Sequence, residues 1–162
     1  MAKHEMAESR SDFLGDMLSV NLAMNQIVDG RANFLAGLSG IILTIALTQV
    51  FTATGWDRIG FSVVSATCFI VAFLSIGVIR PRIRVFNTNN MYYLGILKNS
   101  RQKYRDTIRR VLESDSKIID EYVDEVYDLS KELQIKFRLL RYAADVLAAG
   151  LAIGMILIIA PI

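Results

Sequence analysis

The chain has little of what most enzyme chemistry requires. Its 162 residues include one histidine, His4, and one cysteine, Cys68. That pair excludes a Cys/His zinc site, a disulfide within the chain and a His-based catalytic triad. His4 falls in an N-terminal tail expected to lack regular structure. No glycine-rich phosphate loop of the Walker or dinucleotide type occurs. The carboxylates from Asp115 to Asp128 are spaced as the solvated face of a helix, so the chain reads as a protein with no enzymatic activity, no cofactor and no bound metal. Paired polar-broken helices, the mark of a secondary transporter, are missing too. Any pore would need several subunits.

Charge is also absent over long stretches. Ala32 to Trp56 gives 25 consecutive residues without Asp, Glu, Lys or Arg, and Ile59 to Ile79 gives another 21. Each run exceeds the ~20 residues that cross about 30 Å of hydrocarbon at 1.5 Å per residue. Val146 to Ile162 adds 17 more, and this run reaches spanning length once Tyr142 to Asp145 are included. The hydrophobic fraction of 53% and mean hydropathy of +0.39 have the same origin. Three buried helices of this kind would need a larger amphipathic shell than the chain supplies. Lipid, by contrast, accepts helices because they satisfy their own backbone hydrogen bonds. The first run begins some thirty residues in, behind mixed charge, and reads as a retained span rather than a cleaved signal peptide. The expected protein is all-α and integral to the membrane, with three transmembrane helices.

Basic residues predict its orientation. Fourteen of the 18 Lys and Arg lie between Arg80 and Arg141, three precede the first span, and only Arg58 lies between spans one and two. The positive-inside rule therefore predicts a multi-pass protein of the cell (inner) membrane, with its N-terminus and central segment cytoplasmic. The Thr54–Arg58 turn and Pro161-Ile162 are expected outside. Trp56 and Tyr142 fall at span ends, where amphipathic rings favour the interface.

Outside the spans the pattern is helical. Phe13, Met17, Val20, Met24 and Ile27 step by four and three, predicting a cytoplasmic amphipathic helix within residues 1–31, with Ser11 or Asp12 as its cap. Residues 32–56 form the first span and outer turn, 59–79 the second span. Arg80-Pro81-Arg82 disfavours helix, and Asn87 to Asn90 suit an N-cap. A helix is expected from about Met91 to Leu112, with Tyr104 and Ile108 towards a partner. After a turn at Glu113–Ser116, the residues Ile119, Tyr122, Val126, Leu129, Leu133, Phe137 and Leu140 resemble a heptad seam. Residues 80–141 thus read as a long cytoplasmic helical hairpin, and residues 142–162 as the third span. With no glycine or proline between Leu133 and Ala149, the second arm is expected to enter that span unbroken.

Eight of the nine acidic residues of the hairpin lie from Glu113 to Glu132, its membrane-distal part, and the basic ones crowd its membrane-proximal ends. Anionic head groups account for that, at on the order of 1 kcal/mol per basic residue near the surface. Arg80, Arg82 and Arg84 beside the Asn87 to Asn90 cap also suit a phosphate-bearing ligand, because guanidinium forks and helix N-terminal amides both favour anions. Within the spans, Ala36 and Gly40, Ser62 and Ala66, and Gly150 and Gly154 are spaced four apart, as close helix packing requires. That spacing serves contacts within one chain and between chains alike. Asp145, the one acid inside a span, is expected to pair with Arg141.

Asp29-Gly30-Arg31-Ala32-Asn33-Phe34-Leu35 leads into the first span. Arg80-Pro81-Arg82 closes the second, and Lys136-Phe137-Arg138-Leu139-Leu140-Arg141 enters the third. In order and spacing, from Asp12 to Ile162, this arrangement resembles the Pycsar effector transmembrane family and, more distantly, small SLATT-type membrane effectors. In those families an Asp-x-Lys-Ala type motif precedes the first span; here Asp29, Arg31 and Ala32 occupy it, with Arg in place of Lys. The resemblance implies an antiviral (antiphage) membrane effector that responds to a cyclic pyrimidine nucleotide made by a partner cyclase, oligomerises with its own kind and impairs membrane integrity. Expected partners are then the lipid bilayer, further copies of the chain and such a nucleotide, but no nucleic acid. The residues alone equally allow a non-enzymatic anchor or scaffold that recruits a cytoplasmic partner through its hairpin.

Overall fold

The computed structural model of the protein describes residues 2–80 and 100–160. Every regular element among the described residues is an α-helix: α1 (Ala2–Thr52), α2 (Gly55–Ile79), α3 (Arg101–Leu112) and α4 (Asp115–Ile159). Three of these helices are long and apolar enough to cross a membrane: Asp12–Thr52 within α1, Gly55–Ile79, and Ser116–Ile159 within α4.

The helix boundaries follow from local chemistry. α1 already includes Ala2, so the expected irregular tail around His4 is helical instead, and Ser11 and Asp12 stand inside the helix rather than at its cap. It passes Gly30 and Arg31 without a break, since no proline interrupts its ladder. It ends at Thr52, and Gly55, the first residue of α2, has a φ of 63° that suits a residue without Cβ and lets the chain reverse. Asp57 lies in the first turn of α2, at the positive end of the helix dipole. At the other end the Arg80 N–H donates to the Ile76 carbonyl at 3.0 Å. The helix expected to run through to Leu112 is broken at Ser100, which is non-helical and caps α3. The Ser100 carbonyl accepts from the Tyr104 N–H at 2.9 Å and its hydroxyl oxygen from the Lys103 N–H at 3.4 Å. The expected segment from Met91 to Asn99 lies outside the described residues, as do Pro81, the Asn87–Asn90 cap and Pro161-Ile162. Between α3 and α4 only Glu113 and Ser114 are non-helical. The Ser114 carbonyl accepts from the Lys117 and Ile118 N–H groups in the first turn of α4, and the Lys117 ammonium ties the turn by donating to the Arg110 carbonyl at 3.2 Å and Glu113 Oε2 at 3.3 Å. From there α4 continues for 45 residues, through Leu133 and Tyr142, to Ile159.

The chain divides into two compact units, Met1–Ala23 with Pro81–Glu132, and Met24–Arg80 with Leu133–Ile162. In the first, the seam residues Ile119, Tyr122, Val126 and Leu129 are half-buried on α4. Asn21 Oδ1 lies 3.4 Å from the Ser130 hydroxyl, which donates to it. Phe13 and Val20, on the apolar stripe of α1, stay 63% and 57% exposed.

The second unit is a three-helix core. Val28 and Ala32 of α1, Val78 of α2 and Leu140 of α4 form one buried cluster. Ala46 of α1, Val64, Cys68 and Val71 of α2, and Ala143 and Leu147 of α4 form the other. Rising residue numbers on α1 and α4 run from the first cluster to the second, while those on α2 run back. The two outer helices are thus parallel and α2 is antiparallel to both. The interior of the unit is mainly apolar with a few small hydroxyl residues among it, and its outer surface carries large apolar side chains. Ser39, Ser65, Thr67 and Ser75 are buried, whereas Phe69, Phe73, Ile76, Ile153, Met155 and Ile156 are exposed. Such an outer surface suits a hydrocarbon solvent. Ser39, Ser65 and Thr67 each donate to the carbonyl four residues back, at 2.7, 2.8 and 2.8 Å. Ser75 Oγ is fully buried without a hydrogen-bond partner among the described residues.

Candidate functional site

The buried charged residue of the second unit is Lys136, which the sequence suggested only as one of the basic residues at the inner membrane face. Its position on α4 turns it towards α1, and its side chain is 5% exposed. Nζ donates to Asn25 Oδ1 at 2.7 Å and to Asp29 Oδ1 at 2.9 Å. Asn25 and Asp29 are four apart on α1, so both face the same point on the neighbouring helix. An ammonium with so little solvent access requires acceptors, and these two satisfy it. Asp29, prominent in the sequence through its short motif, therefore neutralises a lysine buried between two parallel helices. Its motif neighbour Ala32 is fully buried in the adjacent cluster, and Arg31 is exposed. Asn25 carried no signal in the sequence, because a polar residue one turn before Asp29 is indistinguishable from a solvated position until α4 is placed beside it.

Arg31 belongs to a different feature. With Arg138 and Arg141 of α4 it lines the polar end of a groove of about 1200 Å³ between α1 and α4, whose remaining lining is mainly apolar. The expected pair between Arg141 and Asp145 does not form. Both residues are exposed, and the ion pairs of the described residues include Lys117–Glu113 and Lys136–Asp29 but not this one.

The small residues of the spans fall into two groups. Gly150 and Gly154 sit where α4 meets α2. A Cβ at Gly150 would strike Thr67, and one at Gly154 would strike Val64. Across from them Gly60 provides the matching space, since a Cβ there would come 2.6 Å from Ile158 Cγ1 and 3.0 Å from the Gly154 carbonyl oxygen. Ser62 and Ala66 lie on the opposite, exposed side of α2. Ala36 and Gly40 are half-buried on α1, with open space where a Gly40 Cβ would stand. Gly60 was missed in the sequence because its partners, unlike a fourfold spacing, are on another helix.

Of the anion corner suggested by Arg80, Arg82, Arg84, Asn87 and Asn90, only Arg80 is among the described residues. It is exposed at the C-terminal end of α2, where a cation complements the helix dipole. No group of three or more His, Cys, Asp or Glu able to hold a metal occurs among the described residues.

Three apolar helices, an apolar exterior and a polar clasp at the head of the core define a multi-pass helical membrane protein. A family model described as the Pycsar effector protein domain matches residues 13–162, and the chain belongs to that family. It is accordingly a membrane effector of a cyclic-nucleotide-linked antiphage system. No curated protein and no solved structure matches the chain.

Proposed function

We propose that the protein acts as an oligomerising effector that impairs membrane integrity once a cyclic pyrimidine nucleotide, made by a partner cyclase, is present. The observation that carries this reading is the continuity of α4, one helix from Asp115 to Ile159 that begins among charged residues and ends in a span. A continuous helix transmits rotation or tilt without the loss a flexible linker would introduce. The Lys136 clasp gives that motion a definite obstacle, since α4 cannot turn against α1 without separating the ammonium from Asp29 and Asn25.

Association between copies is supported by the apolar stripe at Phe13, Met17 and Val20, whose side chains are largely exposed and which precedes the first uncharged run. In water such a stripe favours a helical partner. Ser62 and Ala66, exposed on α2, offer a second packing face within the bilayer. The positive-inside bias supports a cytoplasmic N-terminus and an external C-terminus, which makes residues 80–141 a cytoplasmic helical hairpin. The nucleotide is assigned to the basic corner around Arg80, Arg82 and Arg84.

Expression beside a nucleotide cyclase, followed with a membrane-potential dye, tests the effector reading. Depolarisation only when both proteins are active is expected. No depolarisation under either condition would leave the protein a scaffold. Loss of labelled cyclic-nucleotide binding in the R80A/R82A/R84A variant is expected, and unchanged affinity would remove the corner from the proposal.

A further inference from the structure

We infer that the groove between α1 and α4 is a binding site for an anionic phospholipid, with the phosphate held by Arg31, Arg138 and Arg141 and an acyl chain lying along the apolar wall. The groove has the two-part chemistry such a ligand requires. Three arginines from two helices line the half of it that also holds Ile27 and Gln134, and none has an ion-pair partner among the described residues. Asp29, the carboxylate closest to them on α1, is already committed to Lys136. Asp145 is exposed one turn beyond Arg141 but does not line the groove, so the lining itself is purely cationic in its charge. Guanidiniums suit phosphate because their planar fork donates two hydrogen bonds in parallel.

Past the arginines the lining is Leu38 on α1 and Ala144, Leu147, Ala148 and Leu151 on α4. From Arg141 to Leu151 is ten residues, about 15 Å at 1.5 Å per residue. That is the depth of one leaflet, half of a hydrocarbon core about 30 Å thick. A soluble nucleotide would use the charged end and leave this wall bare, whereas a phospholipid uses both. Basic pockets between membrane helices at the cytoplasmic face are a recurrent setting for anionic head groups.

The test uses the full chain reconstituted in vesicles of phosphatidylcholine containing one-fifth phosphatidylglycerol, then extracted gently and examined for retained lipid by native mass spectrometry. Retention of phosphatidylglycerol well beyond its share of the vesicle is expected, and retention in proportion to composition would overturn the proposal. Each single Arg→Gln change at Arg31, Arg138 or Arg141 should lower that preference by about fivefold, the Boltzmann factor of the interaction of one basic residue with an anionic surface. Diffuse surface attraction would respond to those changes as well, so Ala148→Phe supplies the decisive arm: it fills the apolar wall and leaves all three charges in place. Loss of retained lipid in A148F supports the site, and unchanged retention overturns it. Glycerol 3-phosphate, which has the head-group phosphate without chains, should compete poorly. Displacement of the lipid at equal concentration would mean a free-phosphate site, and dissociation of oligomers by A148F with lipid retention unchanged would mean a second copy occupies the groove. Either result overturns the assignment. An unchanged helical signal by circular dichroism confirms that each variant has folded.

Discussion

Asp29→Asn should destabilise the three-helix core far more than removal of its partner, Lys136→Met. In the native protein the ammonium is 5% exposed and bridges Asn25 and Asp29 at 2.7 and 2.9 Å, while the Asp29 side chain is 36% exposed. Breaking a fully buried pair by removing one partner costs about 3–5 kcal/mol. Because Asp29 is reached by solvent and salt, roughly 2 kcal/mol is the appropriate expectation for Asp29→Asn. Lys136→Met keeps much of the length of the side chain and removes the buried charge itself, so it should cost under about 1 kcal/mol, Asp29 then being hydrated. The double variant should match Lys136→Met, since no buried charge remains to be stranded. Cys68 is the natural reporter: it is the only cysteine, sits on α2 and is fully buried in the core. Heating the purified protein with a thiol-reactive fluorophore therefore reads the opening of this unit. A shift of on the order of 4–8 °C is expected for Asp29→Asn, using the usual scaling for chains of this size. Equal shifts for both single variants, with their sum in the double, would show that the two residues do not interact and would refute the reasoning.

The same Cys68 assay applies to the helix crossing. Gly150→Ala should destabilise by about 1–3 kcal/mol through overpacking against Thr67, while Gly40→Ala, with open space at its Cβ, should be neutral or stabilise by about 0.5–1 kcal/mol; equal effects would mean that α2 and α4 do not approach closely. Ser75→Ala removes a buried hydroxyl without a partner among the described residues and should leave the labelling temperature unchanged or raised; a marked fall would reveal a hydrogen bond that matters. In the bilayer, Phe13→Glu combined with Val20→Glu should convert cross-linked oligomers to monomers while the span packing around Cys68 is kept. Oligomers that persist would move the interface elsewhere. A cysteine introduced at Ser114 should be protected from an impermeant reagent applied to whole cells, and labelling there would reverse the proposed orientation.

The legibility of this chain differed by feature for physical reasons. Spans are properties of local composition: Ala32 to Trp56 excludes charge whatever surrounds it, so the cost of placing that run in water was visible residue by residue. The continuity of α4 past Tyr142 was equally local, because nothing from Leu133 to Ala149 interrupts helical hydrogen bonding. Helix starts were less so. Ser100 breaks the run expected to reach Leu112, since a single well-placed cap outweighs a periodic pattern in choosing a boundary.

What tertiary structure alone decided is partnership. Lys136 is 107 residues from Asp29 and 111 from Asn25, and no periodicity within either helix encodes their meeting. Likewise fourfold spacing marked Ser62 and Ala66, yet α2 turns Gly60, Val64 and Thr67 to α4, because the choice of face depends on the glycines opposite. By itself the sequence determined that three helices belong in a bilayer, since transfer free energy sums along a segment. Which residues clasp them together depended on the parallel register of α1 and α4, a relation between segments that exists only once both are placed.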